Sequence, residues 1–543
     1  MSSSVLIDVQ APRSELVEKT IEVLGRKLSE RTGLTGRAPQ ENETSDIALA
    51  LRPDIGPEGF AIEDAPSGVG VLVAGGDERG LLYGVGRLLR DARLAEGTYD
   101  PGPWRGTSVP DCPMRGMYFA SHFHNFYHDA PVEKVCRYVE DLSLWGINAL
   151  QVWYDMHHFE GIDDPDAQAM LERLRAILAA AKGVGMDAGL CLLANEAYAD
   201  SPPELRANGQ TGTAHYGVEL CPHKPGAKEL MLRWFEEEFE AFSDVGIDNI
   251  WVWPYDQGGC ACEKCSPWGA NGFLVMAEAI AERARRYFPD LTVILSTWLF
   301  DSKEQDEWRG LSRAFEEPPE WLDYILADGH HQFPCYPLEN GVPGGLPLLS
   351  FPEISMWRSY PWGGYGANPV PSHLQELWDD AGGHLSGGFP YSEGIYEDVN
   401  KAVFSRLFWD RDLTAIDVMR EYAAAEFGHQ VADDVVEAIR IMEKNHARHP
   451  AQNEEDRRVI ELGGEGSRVR ECADLMEEVD SRLDRRVRSG WRWRVFRLRS
   501  VIDRELYVND GAITPACEEA FDELRAIYHA QNAENQVRPP TGR

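Results

Sequence analysis

The sequence predicts an α/β protein built on a (β/α)8 TIM barrel, preceded by a small α+β domain and followed by a helical domain. Three observations carry that prediction. From Met114 onward, short apolar runs alternate with amphipathic segments in eight strand-to-helix steps over about 300 residues. The first hundred residues mix four strand patterns with two helical ones instead, and they end at a cluster of prolines. Beyond Leu413 the strand patterns stop. The three units read as residues 1–105, 113–412 and 413–543.

In the first unit, "SVLIDVQ", "IALALR", "GFAIEDA" and "GVGVLVAG" have strand length and strand composition. "SELVEKTIEVLGRKLSERTG" and "DERGLLYGVGRLLRDARL" carry apolar residues at helical spacing. Pro101, Pro103, Pro110 and Pro113 then mark a linker. The barrel strands follow as "MRGMYFAS", "ALQVWY", "DAGLCLLA", "NIWVWPY", "TVILSTWLF", "WLDYILA", "LPLLSF" and "HLSGGFPYS". Between most of them lie helical patterns: "PVEKVCRYVEDLSLWG", "DAQAMLERLRAILAAAKGVG", "AKELMLRWFEEEFEAFSDVG", "GFLVMAEAIAERARRYF" and "SHLQELWDDAGG". The sixth step departs from the pattern. Its "GHHQFPCYPLENGVPGG" is rich in Pro and Gly, so a loop is expected where a helix would stand. A doubly wound open sheet is the alternative, disfavoured because eight well-spaced parallel strands usually close. In the last unit "TAIDVMREYAAAEFG", "VADDVVEAIRIMEKNHARH" and the Arg/Glu-rich run to Tyr507 are helical.

Charge narrows the function classes. A net charge of −37 argues against nucleic acid and anionic membranes as partners, because both demand a basic footprint. The arginines of "DRRVRSGWRWRVFRLRS" alternate with acids and apolar residues, which reads as a salt-bridged helix face. No apolar run approaches the length of a membrane span, and the opening "MSSSVLIDVQ" does not read as a secretory signal. Ten cysteines scattered over 543 residues are unlike a disulfide scaffold. A soluble, cytoplasmic protein is expected, and a homodimer stays open as its assembly.

In such barrels the chemistry sits at the carboxyl ends of the strands. Those ends deliver His122 and His124, then Trp153, Tyr154, Asp155, His157 and His158, then Asn195 and Glu196. Later ends bring Trp253, Tyr255, Asp256 and Gln257, then Trp298 and Asp301, then Asp328, His330 and His331. The last two bring Glu353 and Trp357, then Tyr391 and Glu393. Carboxylates set among aromatic rings suit glycoside hydrolysis, in which one acid protonates the leaving oxygen and another serves as base or nucleophile. Aromatic faces stack on the C–H faces of a sugar, and carboxylates accept its hydroxyls. Any single acid can instead be a helix cap, a loop residue or a hydroxyl ligand. The expected catalytic set is Asp256, Glu353, Asp328 and Glu393. The expected sugar contacts are His122, Trp153, Tyr154, Glu196, Trp253, Tyr255, Trp298, His330, Trp357 and Tyr391.

"GFAIEDAPSGVGVLVAGGDERGLLYGVGRLLRD" resembles the small α/β domain that precedes the barrel in α-glucuronidase-like and β-N-acetylhexosaminidase-like glycoside hydrolases. The order of small domain, barrel and helical domain resembles the α-glucuronidases across most of the chain. That resemblance implies an exo-acting hydrolase of terminal sugars, a uronic acid or an N-acetylhexosamine, that inverts configuration. It implies that Asp256 takes the place of the strand-four acid, where that family uses Glu, and that Asp328 and Glu353 match its Asp/Glu pair on strands six and seven. It also implies a small domain that supports the barrel without chemistry. The hexosaminidases that employ the substrate's acetamido group need two adjacent acids after strand four. Here Asp256 is followed by Gln257, which cannot act as a general acid. A retaining enzyme with Asp256 as acid/base and Glu353 as nucleophile is the nearest rival. A barrel lyase or isomerase, or a non-catalytic sugar-binding protein, is the rival of another class.

One motif stands apart. In "WVWPYDQGGCACEKCSPWG", Cys260, Cys262 and Cys265 are spaced C-x-C-x-x-C in the loop after strand four, and Cys221 lies in the preceding β–α loop. Four thiolates make a closed structural zinc site, whereas a catalytic zinc needs an open position. Ordinary reduced thiols are the plain alternative. Catalysis itself is expected to need no cofactor, and carbohydrate is the expected partner.

Overall fold

The computed structural model describes residues 4–121, 125–208, 216–255, 258–302, 306–329, 332–355, 367–444, 459–460, 467–509, 512–529 and 541–542. The chain begins with a six-stranded sheet. Its strands are β1 (Ser4–Val9), β2 (Thr35–Arg37), β3 (Ile47–Leu51), β4 (Phe60–Asp64), β5 (Val71–Gly75) and, after the hairpin β6 (Arg93–Ala95) and β7 (Thr98–Asp100), β8 (Gly106–Ser108). The order is β2-β1-β3-β5-β4-β8, with β4 antiparallel to both neighbours. Thus part of the expected linker is not a free connector: β8 pairs along β4 as the sheet edge.

Helices α1 (Glu15–Thr32) and α2 (Glu78–Asp91) pack together on this sheet. Ser14 and Asp77 cap them, their side chains accepting the N–H of Val17 and Gly80. Gly86 of α2 lies against the Leu144 carbonyl so closely that any Cβ there would strike it. The buried Arg115 at the start of the barrel donates to Glu58 at 2.8 Å. The small sheet is therefore docked on the barrel through backbone contact and a shielded ion pair.

The barrel comprises β9 (Met114–Phe119), β10 (Ala149–Trp153), β11 (Asp187–Leu193), β12 (Asn249–Trp253), β13 (Thr292–Ser296), β14 (Tyr324–Gly329), β15 (Leu348–Pro352) and β16 (Leu385–Gly388). All neighbours are parallel, and β9 pairs with both β10 and β16, which closes the ring. A two-residue strand β17 (Tyr391–Ser392) resumes the line of β16 beside β9. The intervening helices are α3 (Phe126–Asp129), α4 (Val132–Ser143), α5 (Pro165–Gly183), α6 (Ala227–Ala241), α7 (Gly272–Tyr287), α8 (Glu307–Ala314), α9 (Cys335–Asn340), α10 (Pro371–Ala381) and α11 (Asp398–Trp409). The sixth step does hold a helix, but α9 has only six residues and the Gly-rich run beyond it ends the turn.

The remaining helices are α12 (Ala415–Phe427), α13 (Ala432–Lys444), α14 (Val469–Arg482), α15 (Arg485–Arg488), α16 (Trp491–Val508) and α17 (Pro515–Ile527). The arginines of α16 face the chain's own carboxylates. Arg492 donates to Asp398 at 2.7 Å and Asp141 at 3.2 Å, and Arg494 to Glu523 at 2.6 Å. The two Arg492 pairs tie the helical region to α4 and α11 of the barrel, and the Arg494 pair joins α16 to α17. Among the described residues no helix is long and apolar enough to cross a membrane.

Candidate active site

Side chains alternate across a strand, so every second residue of a barrel strand faces the axis. The inward residues form one apolar cluster that includes Tyr118, Trp153, Leu193, Trp251, Trp253, Leu326, Phe351, Phe389 and Tyr391. Trp251 and Trp253 stack with ring centroids 5.2 Å apart, and Trp253 meets Trp298 edge-on at 5.6 Å and Phe351 at 5.7 Å. Trp298 is only half-buried, and the residue after it, Leu299, has φ +64°, a left-handed conformation costly for a branched-chain residue. An aromatic floor therefore fills the barrel below its carboxyl rim.

Counting two residues up from that floor places three carboxylates on inward positions. Asp328 follows Leu326, Glu353 follows Phe351 and Glu393 follows Tyr391. Glu353 and Glu393 sit on adjacent chain ends, and Glu353 bridges to Tyr391. Ser355 joins the two: its N–H donates to Glu353 Oε1 at 2.6 Å, its hydroxyl donates to the Tyr391 carbonyl, and that hydroxyl accepts the Glu393 N–H at 3.2 Å. Glu393 also accepts the hydroxyls of Tyr391 at 2.6 Å and Tyr396 at 3.1 Å. Burial pushes its carboxyl up to about 7, against the pull of the Tyr391 hydroxyl and with help from the nearby Glu397.

Beneath Glu393 lies a fully buried ion pair. Glu397 accepts the Ser392 hydroxyl at 2.6 Å and the N–H groups of Glu393 and Gly394 at 2.9 and 3.2 Å. Lys401 stands 3.3 Å from it and donates to the Tyr138 hydroxyl at 2.9 Å. Burial draws the ammonium below its ordinary value. Tyr396, Glu397 and Lys401 were not expected from the sequence, although Glu397 and Lys401 at i,i+4 are a helical pairing signal.

The structure brings Trp153, Trp253, Trp298, Asp328, Glu353, Tyr391 and Glu393 together at the carboxyl end of the barrel. Other expected residues turn elsewhere. Tyr154, one position past the inward Trp153, faces the helical shell and stacks on Phe159 at 5.3 Å. The Tyr255 hydroxyl donates to Glu307 on α8. Glu196 is buried, and its oxygens accept Trp153 Nε1 at 3.1 Å and the N–H groups of Met156 at 2.8 Å and Leu193 at 3.2 Å. It braces two loops, and burial next to Asp155 raises its carboxyl well above the ordinary range. His157 hydrogen-bonds Asp155, and His158 stands 3.7 Å from the same carboxylate. Asp256, His122, His330 and Trp357 lie outside the described residues.

Beside β12 the sulfurs of Cys221, Cys260, Cys262 and Cys265 all lie within 4.8 Å of one another. Cys221 Sγ is 3.8 Å from both Cys262 Sγ and Cys265 Sγ.

No family model and no curated protein matches the sequence. Solved structures do match in fold. A family GH115 4-O-methyl-α-glucuronidase with specificity for decorated arabinogalactans is similar over 100% of this chain and 78% of its own, with a TM-score of 0.65 at 12% identity. CpGH89 from Clostridium perfringens, in complex with its substrate GlcNAc-α-1,4-galactose, is similar over 94% of this chain and 64% of its own (TM-score 0.61, 14% identity). A GH20 exo-β-N-acetylglucosaminidase from Vibrio harveyi is similar over 81% of this chain and 75% of its own (TM-score 0.53, 12% identity). At such identities the likeness is one of fold.

Proposed function

We propose that this chain is an exo-acting glycoside hydrolase that releases a terminal sugar, a uronic acid or an N-acetylhexosamine, with inversion. The observation that carries the reading is the pair Glu353 and Glu393, set on neighbouring strand ends above an aromatic floor. Two carboxyls sharing a site work best when their environments separate their protonation, so that one stays neutral while the other acts as base. Burial keeps a proton on Glu393 up to about pH 7. Glu353 is then the base that activates water, Asp328 and the protonated Glu393 support it, and Asp256 protonates the leaving oxygen. Trp153, Trp253, Trp298 and Tyr391 form the sugar-facing floor; Tyr154, Tyr255 and Glu196 act as scaffold.

The similar structures include an α-glucuronidase and N-acetylglucosamine-releasing enzymes, which supports the substrate class. Gln257 beside Asp256 tells against the acetamido-assisted route. The chemistry needs no cofactor, and the four clustered cysteines would serve the rim rather than the reaction. Ten cysteines with no disulfide among them support a reducing, cytoplasmic setting.

The test is a screen of nitrophenyl glycosides and acidic oligosaccharides, with the anomer of the first product followed by NMR. Replacing Glu353 by Gln should lower kcat about a hundredfold or more, with circular dichroism unchanged. A Glu353→Gln variant with wild-type kcat, or a first product of retained configuration, would refute the assignment.

A further inference from the structure

We infer that Cys221, Cys260, Cys262 and Cys265 bind one Zn2+ in a closed tetrathiolate site that staples the β11–α6 loop to the β12–α7 loop. The first ground is distance. Thiolate–zinc bonds of about 2.3 Å place the corners of a regular tetrahedron about 3.8 Å apart. Cys221 Sγ stands 3.8 Å from two of its partners, and all four sulfurs fall within 4.8 Å. Four sulfurs brought this close make a soft-ligand set of the kind zinc takes. The six remaining cysteines of the chain join no such group among the described residues.

The second ground is preorganisation. Asn195, fully buried at the end of β11, donates to the carbonyls of Leu220 at 2.9 Å and Gly259 at 3.1 Å, and it accepts the Gly259 N–H at 2.9 Å. One amide thus grips the residues immediately before Cys221 and Cys260, so ligands 39 positions apart in sequence are aimed at one point. The Asn208 N–H points at Cys260 Sγ at 3.4 Å, a donor suited to a thiolate sulfur. Cys262 and Cys265 share one tight turn, in which the Cys262 carbonyl accepts the N–H groups of Cys265 and Ser266 at 3.0 Å each. Three of the four cysteines are buried, and four protein ligands leave no position for water, so the metal is structural.

The staple joins two of the rim loops, and the chain enters the second directly from the floor residue Trp253. It shapes the mouth of the barrel without entering it. The inference does not depend on the hydrolase reading, because it is read from metal content.

Protein purified without added metal, after equilibration with Zn2+ alone and gel filtration, should carry one zinc per chain by elemental analysis. Cys260→Ser and Cys265→Ser should each fall below about a tenth of that, whereas Cys335→Ser, at an exposed and separate thiol, should keep it. Should the serine variants fail to fold, the wild type decides. Its four thiols should resist alkylation until a chelator is added, and Co2+ substitution should give the intense charge-transfer absorption of a tetrathiolate. Substoichiometric zinc with the four cluster thiols alkylated at once without chelator, two disulfides among the four by mass spectrometry, iron in place of zinc, or a Co2+ spectrum of nitrogen and oxygen ligands would each overturn the site.

Discussion

Glu393→Gln should stabilise the protein above neutral pH while removing activity. The carboxyl is raised from its ordinary 4.5 to about 7, chiefly by burial. Between those values the folded chain holds a proton that the unfolded chain has released, so stability falls as pH rises through that window. At about 1.4 kcal/mol per pH unit, the ionised carboxylate costs about 3 kcal/mol once pH exceeds 7. Glutamine, like the protonated acid, keeps one acceptor oxygen for one of the hydroxyls of Tyr391 and Tyr396 and turns a donor to the other, and it never ionises. Urea unfolding of both proteins at pH 4.5 and pH 8 measures the effect. The variant should gain little at pH 4.5 and up to about 3 kcal/mol at pH 8. The reasoning fails if the difference between variant and wild type is the same at both pH values, or if activity survives the substitution.

Two further substitutions test the frame around the site. Lys401→Met leaves Glu397 without its cation in a fully buried setting and should cost about 3–5 kcal/mol, much of it recovered by adding Glu397→Gln; equal losses in the single and double variants would contradict the pairing. Gly116→Ala puts a methyl into the face of the Phe389 ring inside the barrel, where neighbouring aromatics block its retreat, and should cost about 1–3 kcal/mol by thermal unfolding.

The two substitutions also mark where sequence reading ends. Apolar period and turn residues placed all eight barrel strands and both helices of the first unit, because alternation and helical spacing are local properties of the chain. They missed α8, whose eight residues offer barely two turns, and they missed β8, because three residues after a proline-rich stretch become a strand only when β4 is there to pair. Inward parity was equally legible: Asp328, Glu353 and Glu393 follow apolar inward residues by two. The same rule, applied strictly, separates Tyr154 from Trp153.

The alternation of strands and helices, the parity of the rim acids and the C-x-C-x-x-C spacing were determined by the sequence alone, since each repeats within a few residues. The tertiary structure alone decided what those groups became. Glu393 holds a proton up to about pH 7 because the fold buries it away from water, and burial is a sum over many neighbours. Tyr255 turned to Glu307 and Glu196 to Trp153 because a buried polar group takes whichever partner folding brings within reach. Cys221 met its three partners through the pairing of β11 with β12 and the grip of Asn195, and no spacing rule within one loop encodes that meeting.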